Sequence, residues 1–324
     1  MNFLTVTDDK VLQMSSTKVP DIAIDECLVK VSAIGVNRAD ILQKEGKYPP
    51  PKGESLILGL EVSGEVVKCG NAVSARKVGE RVFGLVPGGA YAEFVKVKAC
   101  HLFPLPKSFS HQQGAATAEV FLTAYQSLFS IAKLQANESV LIHAGASGVG
   151  TAAIQLAKAK GCHVSVTVSS EEKALACKNL GADLIINYRK EDFVKVVKEK
   201  YPQGYDVIID VVSGDYINKN INIAALDCRI VILAMLGGRF AESIDCAKML
   251  LKRITISAST LRNRPDDYKT ALIENFTKDF YLGLEKQRIT PVIHQVFTWH
   301  DANDAHKLMQ ENQNIGKIIL SVES

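Results

Sequence analysis

The chain has 324 residues, of which 47% are hydrophobic and 23% are charged, as in an ordinary globular protein. Two domains are expected at this length. The net charge is only +3 and the basic residues are scattered, which argues against a nucleic-acid or membrane surface. The N-terminus lacks a signal-peptide pattern, and no window holds about 18 consecutive apolar residues. We therefore expect a cytoplasmic protein whose partner is a small molecule.

The seven cysteines are odd in number, far apart and never spaced as a CxxC pair. This pattern predicts neither a disulfide framework nor a cysteine-rich zinc site. We expect reduced, mostly half-buried thiols.

The first third of the chain contains short alternating strands that Gly, Pro and Asn interrupt, with little helical periodicity. Examples are "CLVKVSAIGV", "EVSGEVVKCG", "ERVFGLV" and "AYAEFVKV". The pattern predicts a compact, mostly β domain over residues 1–117.

The middle of the chain, residues 118–258, alternates short apolar runs with amphipathic segments. Six runs are rich in β-branched residues: "SVLIHA", "HVSVTV", "ADLIIN", "YDVIIDVV", "RIVILAM" and "RITISAS". Such alternation is typical of an α/β fold with a doubly wound parallel sheet, here the six-stranded Rossmann type. Residues 259–324 contain an irregular stretch, a helix near 269–284 and a closing strand, "GKIILSV", that we expect to return to the first domain.

A glycine-rich turn follows the first of these six runs, in "SVLIHAGASGVGTAAIQLAKAKG". A strand, a glycine turn and a helix start form the context that a dinucleotide-binding fingerprint requires. The helix N-terminus offers free N–H groups to a pyrophosphate. Ser147 stands where the fingerprint has its second glycine, and a plain tight turn is the alternative. The predicted cofactor-binding residues here are Gly145, Ala146, Ser147, Gly148, Val149 and Gly150.

The choice of cofactor is predicted from the end of the second run, where NAD-binding proteins place an acidic residue. This chain has Ser169 there, with Lys173 one helical turn further and Tyr188 after the third run. No carboxylate at that position would repel a 2′-phosphate, so NADPH is favoured. Two alternatives stay open: Ser169 to Glu172 is also a capping-box pattern, and Lys173 is also a plausible solvated residue. Glu171 and Glu172 suit a phosphate only if they point away from it.

Motifs along the whole chain resemble the zinc-independent quinone oxidoreductases of the medium-chain dehydrogenase/reductase superfamily. They are "GVNRADILQKEGKYPPP", "LGLEVSGEV", "VGERVFGLVPGGAYAEF", "LTAYQSL", "VLIHAGASGVGTAAIQLAK" and "NIGKIIL". The resemblance is closest to the branch that a tumour-suppressor transcription factor induces in animals, with zeta-crystallin more distant. It implies a GroES-like catalytic domain beside the Rossmann domain.

The resemblance also bears on zinc. Zinc-dependent alcohol dehydrogenases carry a Cys where this chain has Asn37 and a His where it has Leu60, just before Glu61. The four-cysteine lobe of those enzymes is missing too. Since neither Asn37 nor Leu60 replaces a thiolate or an imidazole, we expect no metal site. The acceptor should then be one that takes a hydride readily, a quinone or a conjugated enone.

The resemblance implies that several residues of this chain line a substrate pocket. Asn37 and Tyr48 are the predicted catalytic residues, whose amide and phenol donors would stabilise a developing oxyanion, and Asn37 would also contact the cofactor. A Tyr48 ring packed only on the following prolines is the alternative. Asp40 would orient this loop or merely cap a short helix. Some relatives carry a second pocket tyrosine where this chain has Leu42.

Other residues are predicted to contact the nicotinamide end of the cofactor. Thr123 resembles a nicotinamide-contacting threonine, although a helical Thr also bonds its own backbone. Met235 ends the fifth run, and Gly237 and Gly238 follow it at the ligand-binding edge of the sheet, where the glycines also suit a simple turn. Lys317 is a further predicted cofactor contact.

Several charged residues have less definite roles. Lys317 and Arg262 are positive groups near the expected domain junction, and surface residues would give the same pattern. The histidines share no ligand spacing and are expected to be structural: His143, His163, His294, His300 and His306.

These patterns predict an oxidoreductase that passes reducing equivalents from NADPH to a quinone. The alternatives are an NADPH-dependent enone or alkenal reductase and a non-catalytic, crystallin-like protein that binds NADPH or RNA. The sixth run would end the cofactor domain at a sheet edge, so we expect a homodimer that pairs these edges across a two-fold axis.

Overall fold

The computed structural model describes residues 1–322, and the last two residues of the predicted return segment lie outside that range. Its strands are β1 (Asn2–Val6), β2 (Leu12–Ser16), β3 (Glu26–Val36), β4 (Glu61–Cys69), β5 (Arg81–Leu85), β6 (Phe94–Lys98), β7 (Leu102–Pro104), β8 (Ser139–Ile142), β9 (His163–Val168), β10 (Leu184–Asn187), β11 (Tyr205–Asp210), β12 (Ala224–Ile232), β13 (Thr255–Ala258), β14 (Ile293–Thr298) and β15 (Lys317–Ser321).

The helices are α1 (Arg38–Lys44), α2 (His111–Ala115), α3 (Ala118–Tyr125), α4 (Gly148–Ala159), α5 (Glu171–Asn179), α6 (Phe193–Lys200), α7 (Tyr216–Ile223), α8 (Cys246–Lys252), α9 (Asp266–Phe276), α10 (Leu282–Glu285) and α11 (Ala302–Gln310). Wider π-helical turns, Gln126–Ile131 and Thr277–Tyr281, follow α3 and α9. Within residues 1–322, no helix has both the length and the apolar character needed to cross a bilayer.

The chain forms two compact units. The first contains Met1–Leu122 together with the segment that begins at Arg262, and the second contains Thr123–Leu261. The sequence places these divisions slightly earlier, after residues 117 and 258. In the structure α3 begins directly after the first predicted boundary and the division between the units falls within this helix, while the first unit resumes just beyond β13.

A seven-stranded sheet organises the first unit, in the order β14, β15, β3, β4, β5, β7, with β6 also paired to β3. β15 pairs antiparallel with β3, so the closing strand joins the sheet of the first unit. Its core contains Val29, Ile34, Val62 and Ile318, none of which is exposed. Burial of each such side chain contributes about 1.5–3 kcal/mol to folding.

A six-stranded parallel sheet organises the second unit, in the order β10, β9, β8, β11, β12, β13. The order reverses around β8, which makes the carboxyl ends of β8 and β11 the expected ligand edge. Val140, Val164, Ile208 and Ile230 are fully buried, as strands covered on both faces require. The predicted α/β fold is therefore confirmed, with all six predicted runs forming strands.

Candidate functional site

The glycine turn of the second unit joins β8 to α4. Ser147 caps the helix, and its Oγ accepts a hydrogen bond from the Gly150 N–H at 3.0 Å. A helix start has N–H groups without intrahelical acceptors, and the cap satisfies that of Gly150. The N–H groups of Gly148 and Val149 then suit an anion such as a pyrophosphate.

Packing explains two of the glycines in this turn. A Cβ on Gly145 would lie 2.6 Å from the side chain of Val166, on the neighbouring strand β9. A Cβ on Gly150 would lie 2.5 Å from the carbonyl oxygens of Ala144 and Gly145. The turn thus fits closely against β9, and the helix start against the turn, only without side chains at these two positions. Ser147, where the fingerprint has glycine, supplies the cap instead, and Ala146 is buried beside it.

The end of β9 leads through Ser169 into α5. Ser170 caps that helix, since its Oγ accepts from the Lys173 N–H at 3.3 Å. The predicted capping box from Ser169 to Glu172 is therefore wrong by one residue. Because the next residue performs the capping, the hydroxyl of Ser169 is not needed at the helix start.

Two cations lie close together beyond Ser169. Burial lowers the pKa of Lys173, and the nearby charge of Arg189 lowers it further. Lys190 donates to the Glu171 carboxylate at 2.7 Å, and this bond lowers the pKa of Glu171. Asn187 also donates to Glu171 at 3.4 Å. The acidic neighbour that would disfavour a phosphate is thus partly neutralised.

A cavity of about 340 Å³ opens after β10 in the same unit. Tyr188 and Tyr216 provide aromatic walls, and Lys219 lies 5.3 Å from the centre of the Tyr216 ring. The remaining lining residues are Arg189, Lys190, Glu191, Asp192 and Phe193. Aromatic walls beside several cations suit a base attached to a phosphorylated ribose.

The loop after β12 contains the other predicted cofactor contacts. Gly237 donates its N–H to the Val212 carbonyl at 2.7 Å, and a Cβ there would lie 2.8 Å from the Val212 side chain. Gly238 has φ +129°, which favours glycine, and Met235 is 62% exposed. Packing against Val212 requires Gly237, whereas the backbone conformation favours glycine at 238. At the start of the second unit, the Thr123 carbonyl accepts from the Ser127 hydroxyl at 2.7 Å.

In the first unit, Asn37 lies between β3 and α1 at the centre of a buried polar cluster. Its Nδ2 donates to the Gly35 carbonyl at 3.1 Å and to Glu61 Oε1 at 3.0 Å. Lys317 Nζ donates to Asn37 Oδ1, to the Val36 carbonyl and to Glu61 Oε1, each at 2.7 Å. The side chains of Lys317 and Glu61 are 3% and 0% exposed.

These bonds change the interpretation of two predicted residues. Both amide hydrogens of Asn37 are already donated, so its predicted role as an oxyanion donor does not fit this arrangement. All three ammonium hydrogens of Lys317 are likewise engaged, and the residue is buried rather than on the surface. Lys317 therefore holds Asn37 in place, and a direct contact of either side chain with a cofactor stays a prediction.

A second buried layer lies behind Asn37. Asp40 Oδ2 accepts from the Asn37 N–H at 2.8 Å and from Tyr91 Oη at 3.3 Å, and Tyr91 Oη lies 2.8 Å from His306 Nε2. Burial raises the pKa of Asp40 to about 7 and lowers that of His306 to about 3. Asp40 thus both caps α1 and orients the loop, and His306 has the structural role expected of it.

Tyr48 lies beside a buried guanidinium. Arg262 is 8% exposed, and its guanidinium carbon lies 5.7 Å from the centre of the Tyr48 ring. Arg262 donates to the Pro87 carbonyl at 2.9 Å and to Gln43 Oε1 at 2.8 Å, which fixes it in position. Burial raises the pKa of Tyr48, while the charge of Arg262 opposes the rise. The ring therefore has an electrostatic partner and is not packed on prolines alone.

Sequence patterns alone missed Arg189, the Glu61 to Lys317 ion pair, and the contact between Arg262 and Tyr48. Arg189 directly follows Tyr188 after the carboxyl end of β10, where ligands bind in parallel sheets. This position alone could have marked Arg189 as a candidate cofactor contact. The other two contacts join residues more than 200 positions apart in the chain. No local spacing could indicate them.

Two family models match the chain. The model described as "Alcohol dehydrogenase GroES-like domain" matches residues 23–107, and "Zinc-binding dehydrogenase" matches residues 148–278. With the parallel sheet and its glycine turn, they define a two-domain oxidoreductase with a fold that binds nicotinamide dinucleotides. The chain belongs to the medium-chain dehydrogenase/reductase superfamily.

Individual relatives place the chain more closely. The rat quinone oxidoreductase is 30% identical over 94% of this chain and 92% of its own length. The zebrafish synaptic vesicle membrane protein VAT-1 homologue is 31% identical over 97% of this chain and 68% of its own. The crystal structure of Escherichia coli quinone oxidoreductase complexed with NADPH is similar to this structure, with a TM-score of 0.87 at 27% sequence identity. The match covers 99% of this chain and 98% of the Escherichia coli chain. Within the superfamily, the chain is quinone oxidoreductase-like.

Proposed function

We propose that this protein is a zinc-independent oxidoreductase that transfers reducing equivalents from NADPH to a quinone. The observation that carries the proposal is that each unit, taken by itself, offers one of the two sites that this reaction needs. The second unit offers a glycine turn with a cationic pair beyond it, and the first offers a half-buried phenol beside a guanidinium. Membership of the tumour-suppressor-inducible branch, which rests on resemblance, and a cytoplasmic location, which the sequence patterns favour, are also parts of this proposal.

The residues of the second unit fit NADPH. The N–H groups of Gly148 and Val149, at the start of α4, would bind the pyrophosphate. Lys173 and Arg189 supply the positive charge that a 2′-phosphate needs, and Ser169 supplies a hydroxyl where NAD-binding proteins have a repelling carboxylate. Tyr188 would face the adenosine end.

The residues of the first unit do not fit zinc, although one matching family model is named for it. A catalytic zinc ion requires three protein ligands, usually thiolate, imidazole or carboxylate. The candidate positions hold the Asn37 amide, bonded to an ammonium group, and the apolar Leu60. Among residues 1–322, no group of three His, Cys, Asp or Glu side chains is arranged so that it could hold a metal ion. We therefore derive no step through a metal.

The proposed reaction divides the work between cofactor and protein. When bound, NADPH supplies the hydride. The protein positions the two reactants and excludes water, and the Tyr48 phenol donates a hydrogen bond to the acceptor oxygen as negative charge develops there. Arg262 holds the Tyr48 ring and favours that charge. A quinone suits this single weak donor because its reduced oxygen readily takes a proton from solvent.

An acceptor comparison with Tyr48→Phe tests this proposal. Purified protein and variant would be supplied with NADPH and 1,2-naphthoquinone, a conjugated enone or a simple aldehyde. We expect quinone turnover, no aldehyde turnover, and a quinone rate about tenfold lower in the variant, the effect of one lost donor. Turnover of the enone alone, abolished by Tyr48→Phe, would instead identify the protein as a double-bond reductase.

A further inference from the structure

A chain of buried polar side chains crosses the second unit beneath the ligand edge of its sheet. It consists of Thr167 on β9, His143 after β8, Asn220 on α7 and Asp210 at the end of β11, each at most 1% exposed. None of them enters the proposed reaction. Buried polar groups of this kind are retained only when their hydrogen bonds are satisfied.

The hydrogen-bond contacts along this row of buried polar side chains are continuous. His143 Nδ1 lies 3.0 Å from Thr167 Oγ1, and His143 Nε2 lies 2.8 Å from Asn220 Oδ1. Asn220 Nδ2 donates to Asp210 Oδ2 at 3.0 Å. The rings of Phe193 and Tyr216 pack edge-on to the imidazole, with centres 5.1 and 4.9 Å away. These aromatic walls keep water from His143.

Chemistry fixes the direction of every bond. Both carboxyl oxygens of Asp210 accept hydrogen bonds, and Oδ2 accepts from the Asn220 amide nitrogen, so the amide oxygen faces His143. His143 Nε2 must therefore carry the proton, which leaves Nδ1 bare to accept from the Thr167 hydroxyl. Burial lowers the pKa of His143 and keeps the ring neutral, as this arrangement needs.

The first end of the chain lies in the glycine turn. Ala144 donates its N–H to Thr167 Oγ1 at 3.4 Å, and Gly145 donates its N–H to the Thr167 carbonyl at 3.0 Å. Ala144 has φ +54°, a left-handed conformation that an alanine adopts only when its surroundings hold it.

The second end lies in the loop after β11. Asp210 Oδ1 accepts from the N–H groups of Val212 at 2.7 Å and Ser213 at 2.9 Å. Ser213 has φ +60°, a second left-handed residue. The Val212 carbonyl in turn accepts from the Gly237 N–H at 2.7 Å. The hydrogen bonds that start at His143 thus extend to the loop that contains Met235 and Gly237.

We propose that His143 is a positioning residue that couples the glycine turn to the loops at Val212 and Gly237. Through Thr167 on one side and Asn220 and Asp210 on the other, it holds two strained loop backbones in one joint arrangement. The benefit for NADPH rests on the proposed function, in which the turn binds the pyrophosphate and the Gly237 loop faces the nicotinamide. The coupling of the loops does not rest on it.

Reciprocal substitutions test the coupling in protein without cofactor. Thr167→Val cuts the chain at the turn, and Asn220→Leu cuts it on the other side. We expect Thr167→Val to accelerate amide hydrogen exchange at Val212 and Ser213, and Asn220→Leu to accelerate it at Ala144 and Gly145. Ser165→Ala, equally buried on β9 but outside the chain, should change neither loop.

Variants of His143 separate positioning from simple packing. His143→Gln retains a donor toward Asn220 and an acceptor toward Thr167, whereas His143→Leu retains neither. We expect His143→Gln to keep both loops protected and His143→Leu to weaken NADPH binding about tenfold, the cost of one unsatisfied buried hydrogen bond. Fluorescence titration with NADPH measures this change.

Exchange that accelerates only beside each substitution would overturn the coupling, as would equal effects of His143→Gln and His143→Leu. If His143→Leu does not fold, the two reciprocal variants still decide the question. If the wild-type protein does not bind NADPH, the proposed function fails, while the exchange experiment still tests the coupling by itself.

Discussion

At the scale of single residues, the proposed choice of NADPH rests on the cationic pair of Lys173 and Arg189. Lys173 is partly buried, Arg189 lies near enough to lower its pKa further, and Lys190 engages the carboxylate of Glu171. Two neighbouring cations repel one another, and a dianionic phosphate between them would relieve that repulsion. This arrangement, at a sequence position without an acidic residue, supports the proposed preference for NADPH.

Substitution of these cations should separate the two cofactors. We expect Lys173→Ala and Arg189→Ala each to weaken NADPH binding by about 10- to 100-fold, the effect of one charge-assisted hydrogen bond, and to leave NADH binding nearly unchanged. Calorimetric titration with both cofactors measures the effect, and Lys178→Ala in the last turn of α5 is the matched control. Equal losses for NADPH and NADH would refute the phosphate assignment.

The two buried titratable residues behind Asn37 predict opposite effects of pH on stability. The pKa of His306 falls from 6.5 to about 3 on folding, so its contribution to stability is lost as pH falls from 6.5 toward 3. The pKa of Asp40 rises from 3.8 to about 7, so its contribution is lost as pH rises from 3.8 toward 7. Between about pH 4 and 6.5, the two effects nearly cancel in the wild type.

Single variants should reveal each effect. Relative to the wild type, the unfolding free energy of His306→Gln should fall by about 1.4 kcal/mol per pH unit as pH rises through this window. That of Asp40→Asn should rise by about the same amount per unit. Urea unfolding at several pH values measures both slopes. Parallel pH profiles for the two variants and the wild type would contradict the assigned pKa directions.

At the scale of secondary-structure elements, the second unit was predictable and the first less so. Buried parallel strands give unbroken apolar runs, and these identified β8 to β13. Strand β14 escaped because its outward residues are polar or exposed, as in "IHQVFT", and the β1–β2 hairpin and α11 also carry mixed patterns. Their positions depend on partners distant in sequence, such as β15 for β14.

The candidate site follows the same division. The glycine turn, Ser169, Lys173 and Tyr188 were predictable because each sits at a strand end within one regular alternation. The bonds of Asn37 were not, because Lys317 reaches it from 280 residues away along the chain. A pattern of spacing cannot indicate that this amide has no hydrogen left for a substrate.

The cap at the glycine turn gives an element-scale prediction. Ser147→Ala removes the acceptor for the Gly150 N–H and should lower the unfolding free energy by about 1 kcal/mol. Ser147→Gly restores the usual fingerprint and should cost only a few tenths of a kcal/mol. Urea unfolding of the two variants provides the comparison. Equal stability of Ser147→Ala and the wild type would show that the cap does not support the helix start.

At the scale of the whole molecule, the edge of the parallel sheet indicates self-association. Strand β13 is the last strand in the sheet order, and the nearby helix α8 exposes Leu250 at 80% and Leu251 at 76%. An unpaired strand edge beside exposed leucines is unfavourable in an isolated chain. The proposed homodimer would pair β13 with its symmetry mate and cover these leucines.

Light scattering at micromolar concentration tests this assembly. We expect the mass of a dimer for the wild type and of a monomer for the double variant Leu250→Asp, Leu251→Asp, because two desolvated carboxylates per subunit would oppose the interface. Exposed Leu175 on α5, changed to Asp, serves as the control and should leave the dimer intact. A monomeric wild type would contradict the predicted edge pairing.

The most direct test of the central claim is turnover by protein shown to be free of metal. The protein would be treated with EDTA, checked for zinc by elemental analysis, and mixed with 1,2-naphthoquinone and either NADPH or NADH. We expect rapid loss of NADPH absorbance that the chelator does not affect, and a much slower loss of NADH absorbance. Loss of activity with the metal and its recovery with added zinc, or an absence of quinone turnover despite NADPH binding, would contradict it.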